Sequence, residues 1–192
     1  MIKSVGAIAL LFSALGASAS WFSSDDPIRL DDARLKQSYA SWDGLIPPDA
    51  YAWVPENPSF ELIDSDEFQR QLEASGASLN EGMQGKAIGI GGFMVPIDVE
   101  GQQVLTFLLV PEAGQCVHVP APPINQTVLV DASLNPVLLR DLYQPIWVNG
   151  DIRVSRGDTD LAEYGYLLVD PRVYDLEIPD YDAALVPRHS GD

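Results

Sequence analysis

Short runs of alternating apolar and polar residues fill the chain from Lys86 onward, separated by Gly, Pro, Asn and Asp. Alternation with a period of two is typical of β-strands, and those four residue types mark the turns between them. We therefore predict five strands, at Lys86–Val95, Val104–Val110, Gln126–Asp131, Pro145–Val154 and Tyr164–Asp170.

The number and spacing of these strands predict a mainly β fold, a five-stranded OB-like barrel over residues 82–174. Gly89, Gly91 and Gly92 predict a bulge or a sharp bend in the first strand. The run from Leu138 to Leu142 predicts a short helix before the fourth strand. The competing fold is an immunoglobulin-like sandwich, which needs about seven strands.

Alternate positions of the five strands predict the barrel core, because successive side chains of a strand point to opposite faces. The predicted core residues are Ile88, Ile90, Phe107, Leu109, Val128, Val130, Ile146, Val148 and Leu167.

Residues 20–81 predict a helical, proline-rich N-terminal arm with one or two helices. A first helix is expected over Asp31–Ser41. A second is capped by Asp64 or Ser65 and carries Phe68 and Leu72 one turn apart. Four apolar residues are expected to pack the arm onto the barrel: Trp42, Leu45, Ile46 and Trp53.

Both ends of the chain are expected to lie outside the folded domain. Residues 1–19 match a signal peptide, with Lys3, an apolar core and a cleavage motif that ends at Ala19. The apolar run is shorter than the roughly 20 residues that span a membrane. We therefore expect a soluble mature chain, periplasmic or secreted, with no membrane span, and an acidic C-terminal tail over residues 175–192.

The net charge of the chain excludes one class of partner. With 28 acidic and 11 basic residues, the formal net charge is −17 at pH 7. Binding to nucleic acid requires a basic face, so we exclude nucleic acid as a partner. The single cysteine, Cys116, has no internal disulfide partner. In an oxidising compartment it is therefore buried, bound to a ligand, or paired with another molecule.

Cys116 and His118 lie two residues apart, behind the apolar strand that ends at Val110. On an extended segment, side chains at this spacing point to the same face. We therefore expect the thiol and the imidazole to share one face. This is the segment where the sequence predicts chemistry.

Three interpretations of this pair stay open. Cys and His are ligands that zinc and copper prefer, and the remaining ligands would come from Glu112 or Asp98, a second molecule or water. Cys116 is alternatively a nucleophile activated by His118. In the third interpretation the pair is structural, with a buried thiol and a histidine that holds the loop.

Two other motifs in the sequence predict local structure rather than catalysis. Asn125 and Gln126 follow a proline run, and we expect their side chains to organise the loop through hydrogen bonds to the backbone. The stretch from Gly82 to Lys86 lacks the glycine spacing of a phosphate loop and the Ser or Thr after the lysine. We therefore exclude a phosphate-binding loop.

Six motifs together resemble a known family. They are Trp42–Pro47, Gly92–Pro96, Phe107–Pro111, Cys116–Pro120, Pro122–Gln126 and Pro145–Gly150. These motifs resemble an exported bacterial family catalogued as domain of unknown function 3299. The resemblance covers roughly residues 40 to 170, and the Cys-x-His-x-Pro stretch is its most specific part.

The resemblance implies a periplasmic protein or lipoprotein, although this chain has no cysteine directly after its cleavage motif. Members encoded beside an ABC-type export system and a zinc-linked periplasmic protein imply a role in metal handling or in serving a transporter. The resemblance implies no catalytic residues.

We therefore predict a periplasmic binding or accessory protein that handles zinc or copper through Cys116 and His118 and serves an ABC-type transport system. We expect a binding role rather than an enzymatic one. The alternatives are a thiol-dependent enzyme that uses Cys116 with His118, and a purely structural protein-binding adaptor.

Overall fold

The computed structural model describes residues 28–29 and 39–177. The strands of this part are β1 (Ile28–Arg29), β2 (Lys86–Glu100), β3 (Gln103–Val110), β4 (Val128–Asp131), β5 (Val137–Leu138), β6 (Pro145–Asp158) and β7 (Glu163–Glu177). The helices are α1 (Trp42–Leu45), α2 (Phe60–Ile63) and α3 (Asp66–Gly76), with 3-10 turns at Glu81–Met83 and Ile124–Gln126. The predicted signal peptide lies outside the described residues, as do most of the predicted first helix and residues 178–192.

Five strands close into a barrel. β2 pairs with β3 and β6, β3 pairs with β4, and β6 pairs with β7, all antiparallel. The parallel pairing of β4 with β7 completes the closure. The predicted mainly β, OB-like five-stranded barrel is therefore confirmed. β1 adds a short parallel strand to β7 outside it.

The predicted helix from Leu138 to Leu142 is wrong. Val137 and Leu138 form β5 and pair with Val104 and Gln103 of β3. β4 is short and reaches β3 only from Thr106 to Leu109, so the start of β3 has free backbone groups. β5 satisfies them, and the N–H of Leu139 extends the pairing to the carbonyl of Gln102.

The barrel interior holds every predicted core residue except Leu167. Leu167 is half-buried, whereas its neighbours Tyr166 and Leu168 are fully buried. In the parallel ladder with β4, Tyr166 lies beside Val128 and Leu168 beside Val130. Because Val128 and Val130 face inward, this register turns Leu167 outward, and a shift of one residue inverts the faces of a strand.

The glycine segment of β2 carries no bulge, and Gly89 has a packing role instead. Pairing between β2 and β6 is continuous from Lys86 to Phe93, and the register shifts of β2 fall later, between Pro96 and Val99. The ring of Trp147 lies over the outer face of β2. A Cβ on Gly89 would meet Trp147 Cζ2 at 2.6 Å. Because Gly89 has no side chain, the indole of Trp147 can pack directly on the backbone of β2.

Several contacts tie the described part of the arm to the barrel, among them the N–H of Ala40, which donates to the carbonyl of Gly89 at 2.8 Å. Trp42 Nε1 donates to the carbonyl of Gly91 at 2.8 Å, and Leu45 is fully buried in the barrel core. Trp53 instead packs edge-on against Phe68, with ring centroids 5.0 Å apart, so it holds α3 rather than the barrel. Tyr39 to Ser41, the described end of the predicted first helix, are not helical.

The second predicted helix is confirmed as α3. Ser65 is its N-cap, and its hydroxyl accepts from the N–H of Phe68 at 3.3 Å. This bond satisfies one of the free N–H groups of the first turn. Across residues 28–29 and 39–177, no helix has both the length and the apolar character needed to cross a membrane.

Candidate functional site

The segment that carries Cys116 and His118 is a tight turn, so the expectation of an extended segment is wrong. The carbonyl of Gly114 accepts from the N–H groups of Val117, His118 and Val119, at 3.3, 2.8 and 3.2 Å. Cys116 has a φ of 64°, in the left-handed region. The rule that residues i and i+2 share a face applies to strands, and it does not hold for this turn.

The Cys116 side chain packs against an apolar cluster on the outside of the barrel. Val95, Leu108 and Val110 form the buried centre of this cluster, and Tyr164 also contacts it. Cys116 is half-buried there, and burial raises the pKa of its thiol. The turn therefore presents a protonated thiol to an apolar surface at neutral pH.

His118 has different neighbours. Its imidazole is exposed and stacks on the ring of Tyr143, with centroids 6.5 Å apart and planes 10° apart. Within the described ranges, no three His, Cys, Asp or Glu side chains cluster closely enough to hold a metal ion. A zinc or copper site at Cys116 and His118 stays a prediction that needs ligands from elsewhere.

The Cys116 turn also covers the face that OB folds use for ligands. In those folds, oligonucleotides and oligosaccharides bind across the second and third barrel strands, which are β3 and β4 here. The outward side chains Leu108 and Val110 of β3 are fully buried beneath Cys116, Ala162 and Tyr164. A ligand that bound across β3 in this way would have to displace the Cys116 turn from Leu108 and Val110.

Asn125 and Gln126, the two predicted loop-organising residues, differ in their surroundings. Asn125 is fully buried, and its Nδ2 donates to the carbonyl of Ser75 near the end of α3 at 2.9 Å. Gln126 is half-buried, and its backbone N–H donates to the carbonyl of Pro123 at 2.8 Å. Within the described chain, the Gln126 side chain makes no hydrogen bond.

A cleft of about 720 Å³ lies between α3 and the proline loop, residues 120–123. We call it the α3–proline cleft. Its walls are mainly apolar, with two carboxylates, one guanidinium and one phenol. The lining residues are Tyr51, Leu72, Glu73, Gly76, Ala77, Ala121, Pro122, Pro123, Ile124, Arg156 and Glu163.

Two close contacts set the shape of this cleft. A Cβ on Gly76 would lie 3.0 Å from Pro123 Cβ, so the absent side chain lets α3 approach the proline loop. Arg156 donates from its guanidinium to the carbonyl of Ala77, the C-cap of α3, which joins β6 to the helix. Cationic side chains are favoured at helix C-termini because the last carbonyls carry partial negative charge.

Sequence reasoning missed this cleft. Its proline wall lies within a motif that we recognised, but Tyr51, Glu73 and Arg156 come from three distant segments. The signal that was present is Gly76. A glycine near a helix end marks either a cap or a close packing contact, and here it is the contact with Pro123.

Comparison with known proteins places the chain in a family. The family model described as "Protein of unknown function (DUF3299)" matches residues 42–175. The chain belongs to this family. The resemblance predicted from the sequence motifs is therefore confirmed.

A solved DUF3299 structure has the same architecture. The crystal structure of a DUF3299 family protein from Pseudomonas aeruginosa PAO1 is 28% identical to this chain, with a TM-score of 0.52. The match covers 80% of this chain and 99% of that chain. Among curated proteins, none matches. All residues of the α3–proline cleft lie within the matched range, and so do Cys116 and His118. The cleft and the Cys116 turn therefore both belong to the DUF3299 domain.

Proposed function

We propose that this protein is a periplasmic accessory protein, not an enzyme, that holds an extended segment of a partner protein in the α3–proline cleft. The cleft itself carries the proposal. It joins a large apolar wall to a few polar groups, which is the usual composition of a binding site.

The walls of the cleft are set before a ligand arrives. Pro122 and Pro123 fix the backbone of one wall, and Asn125 joins the following turn to the carbonyl of Ser75. A preformed site loses little conformational entropy on binding, so more of the contact energy becomes affinity. An extended partner segment suits a groove between a helix and a proline loop because it presents side chains to both walls.

The charges of the cleft favour a basic side chain in the partner. Glu73 and Glu163 line the cleft, and neither forms an ion pair with another described residue. Arg156 donates to the neutral carbonyl of Ala77 and keeps its positive charge, so the two carboxylates still outnumber the one cation of the lining. The chain as a whole adds a net charge of −17, which attracts cationic partners.

Two observations favour binding over the thiol-enzyme alternative. A nucleophilic cysteine needs a lowered thiol pKa, whereas burial raises the pKa of Cys116. His118, its proposed activating base, stacks on Tyr143. A transition-metal role and service to an ABC-type transporter stay predictions, and in that case the partner would complete the metal site.

The test is a titration of the isotope-labelled mature protein, followed by NMR. The probe is a short extended peptide of alternating Pro and Leu with one central Arg, and the matched peptide carries Glu instead. We expect the Arg peptide to shift amide signals of α3 and of residues 121–124. Electrostatic complementarity predicts that the Glu peptide binds more weakly.

Variants locate the binding. Replacing Glu73→Gln and Glu163→Gln together should lower the affinity for the Arg peptide at least about fivefold. The matched charge control replaces two glutamates outside the cleft, Glu100→Gln and Glu112→Gln together, and should have no effect. Shifts that map away from the cleft, or equal affinity for both peptides, would refute the proposal.

A further inference from the structure

A second surface of the arm exposes large apolar side chains. Phe60, at the start of α2, is 91% exposed, and Leu62 and Ile63 on the same short helix are exposed as well. We call these three residues the Phe60 ridge. Single exposed apolar residues are common, whereas three on one short helix, with Phe60 and Ile63 one turn apart, are a candidate interaction site.

Side-chain hydrogen bonds close both ends of the helix that carries the Phe60 ridge. The hydroxyl of Ser59 accepts from the N–H of Leu62 at 3.2 Å. At the other end, the hydroxyl of Ser65 donates to the carbonyl of Leu62 at 2.7 Å, and Gln69 Nε2 donates to the carbonyl of Ile63 at 2.7 Å. Three side chains therefore hold one short helix. A helix that is closed at both ends and presents an exposed aromatic side chain has the form of a binding anchor.

The charge around the Phe60 ridge is of one sign. The stretch from residue 56 to residue 67 contains no basic residue and five acidic ones, which are Glu56, Glu61, Asp64, Asp66 and Glu67. The next basic residue, Arg70, is engaged with Glu67 at 2.6 Å. The ridge is therefore an apolar projection with an acidic border.

We propose that the Phe60 ridge inserts into an apolar pocket on a partner protein, and that Lys and Arg side chains border this pocket. Complementary charge selects this occupant. A second copy of the same chain would bring another acidic border and a net charge of −17 against it. Anionic lipid is disfavoured for the same reason.

This inference is independent of the α3–proline cleft, because no residue of the Phe60 ridge lines the cleft. The two proposals fail separately. We expect Phe60→Ser to weaken binding of the peptide that tests the Phe60 ridge. The Glu73→Gln and Glu163→Gln changes should leave binding of that peptide unaltered.

The experiment measures binding of an amphipathic helical peptide with one face of Leu and a border of Lys, by calorimetry. A peptide with Glu in place of Lys is its matched counterpart. We expect the Lys peptide to bind the wild type, and Phe60→Ser to weaken it at least about tenfold. Leu134→Ser is the matched control. Leu134 is also apolar and 85% exposed, but it lies in the turn before β5, and the change should leave affinity unaltered.

A second variant tests the acidic border. Glu61→Gln with Asp64→Asn should weaken the Lys peptide and reduce its dependence on salt, because screening acts on charge pairs. Equal affinity for the Lys and Glu peptides would overturn the proposal, as would equal losses in Phe60→Ser and Leu134→Ser. Self-association abolished by Phe60→Ser would assign the ridge to a second copy instead. Binding to vesicles of anionic phospholipid that Phe60→Ser abolishes would assign it to a membrane.

Discussion

The hydroxyl of Tyr166 donates a hydrogen bond of 2.5 Å to the carbonyl oxygen of Leu45. It also accepts a bond of 2.7 Å from the N–H of Asn80. Tyr166 belongs to β7 and lies in the barrel core, whereas Leu45 and Asn80 belong to the arm. One phenol therefore joins the arm to the inside of the barrel at two backbone groups.

We expect Tyr166→Phe to lower the free energy of unfolding by about 2 kcal/mol, because a buried carbonyl and an N–H group lose their partner. Urea denaturation measures the change. Tyr143→Phe is the matched control, since Tyr143 is exposed and its hydroxyl makes no hydrogen bond with the described residues. It should alter stability by less than about 0.5 kcal/mol. Equal stability of both variants would refute the role of the Tyr166 hydroxyl.

The barrel was predictable because its interior positions follow the period of a strand. The prediction was wrong at Leu167, where Tyr166, Leu167 and Leu168 are all apolar and alternation cannot select the inward set. Pairing with Val128 and Val130 decides the register instead. The predicted helix at Leu138 was wrong for a similar reason. The start of β3 offers free backbone groups to Val137 and Leu138, and this contact between distant segments cannot be seen in the local sequence.

The candidate site was less predictable than the fold. The spacing of Cys116 and His118 indicates a shared face only if the backbone is extended. Three hydrogen bonds to the carbonyl of Gly114 fold this segment into a turn instead. The α3–proline cleft brings Tyr51 of the arm near Arg156 of β6. These two residues are far apart in the sequence, so no local sequence pattern could predict that they line one cleft.

Gly89 and Gly91 allow a matched test of the outer face of β2. A methyl group at Gly89 would meet the Trp147 ring at 2.6 Å, whereas one at Gly91 would meet it at an ordinary 3.5 Å. We expect Gly89→Ala to destabilise the protein by about 1–3 kcal/mol through overpacking. Gly91→Ala should have little effect. Thermal unfolding compares the two, and equal midpoints would contradict the close packing of Trp147 on Gly89.

The Cys116 thiol should react slowly in the folded protein. Because burial raises its pKa, the thiolate that iodoacetamide attacks is scarce at neutral pH. We expect native Cys116 to be alkylated more slowly than the unfolded chain, as followed by mass spectrometry. Faster alkylation than that of unfolded protein would favour the thiol-enzyme alternative.

The same shift has a consequence for stability. The folded pKa of Cys116 lies above its unfolded value, so the thiol favours the folded state below the unfolded pKa, and this contribution is lost as pH rises through the folded pKa. Stability of the wild type should therefore fall as the pH rises from the unfolded pKa of the thiol to its folded pKa, and this fall should be smaller in Cys116→Ser. Denaturation curves at rising pH measure the difference, and parallel curves would contradict the shift.

Zinc or copper at Cys116 and His118 requires a thiolate and a neutral imidazole, so affinity should fall as pH falls. Either Cys116→Ser or His118→Ala should lower zinc affinity at least about tenfold, which is about 1.4 kcal/mol. Calorimetry measures the affinity, and circular dichroism checks that both variants remain folded. Zinc that binds both variants as tightly as it binds the wild type would place any metal site elsewhere.

The last prediction separates Asn125 from Gln126. Asn125→Ala should cost about 1–2 kcal/mol, because one hydrogen bond to the carbonyl of Ser75 is lost and the removed amide leaves a cavity at a fully buried position. The Ser75 carbonyl keeps the Ser78 hydroxyl as a donor, at 2.6 Å. Gln126→Ala should change stability by less than about 0.5 kcal/mol, since its side chain makes no hydrogen bond with the described chain. Urea denaturation measures both variants.

The affinity for the Arg peptide should also differ between the Asn125 and Gln126 variants. Ser75 precedes Gly76, which contacts Pro123 across the floor of the α3–proline cleft. Loss of the Asn125 bond therefore frees the two walls to move apart, and the cleft must be ordered again when a ligand binds. We expect Asn125→Ala to weaken the Arg peptide severalfold even where the variant is fully folded, whereas Gln126→Ala binds like the wild type. If Asn125→Ala lowered stability but left peptide affinity unchanged, Asn125 would serve the fold without shaping the cleft.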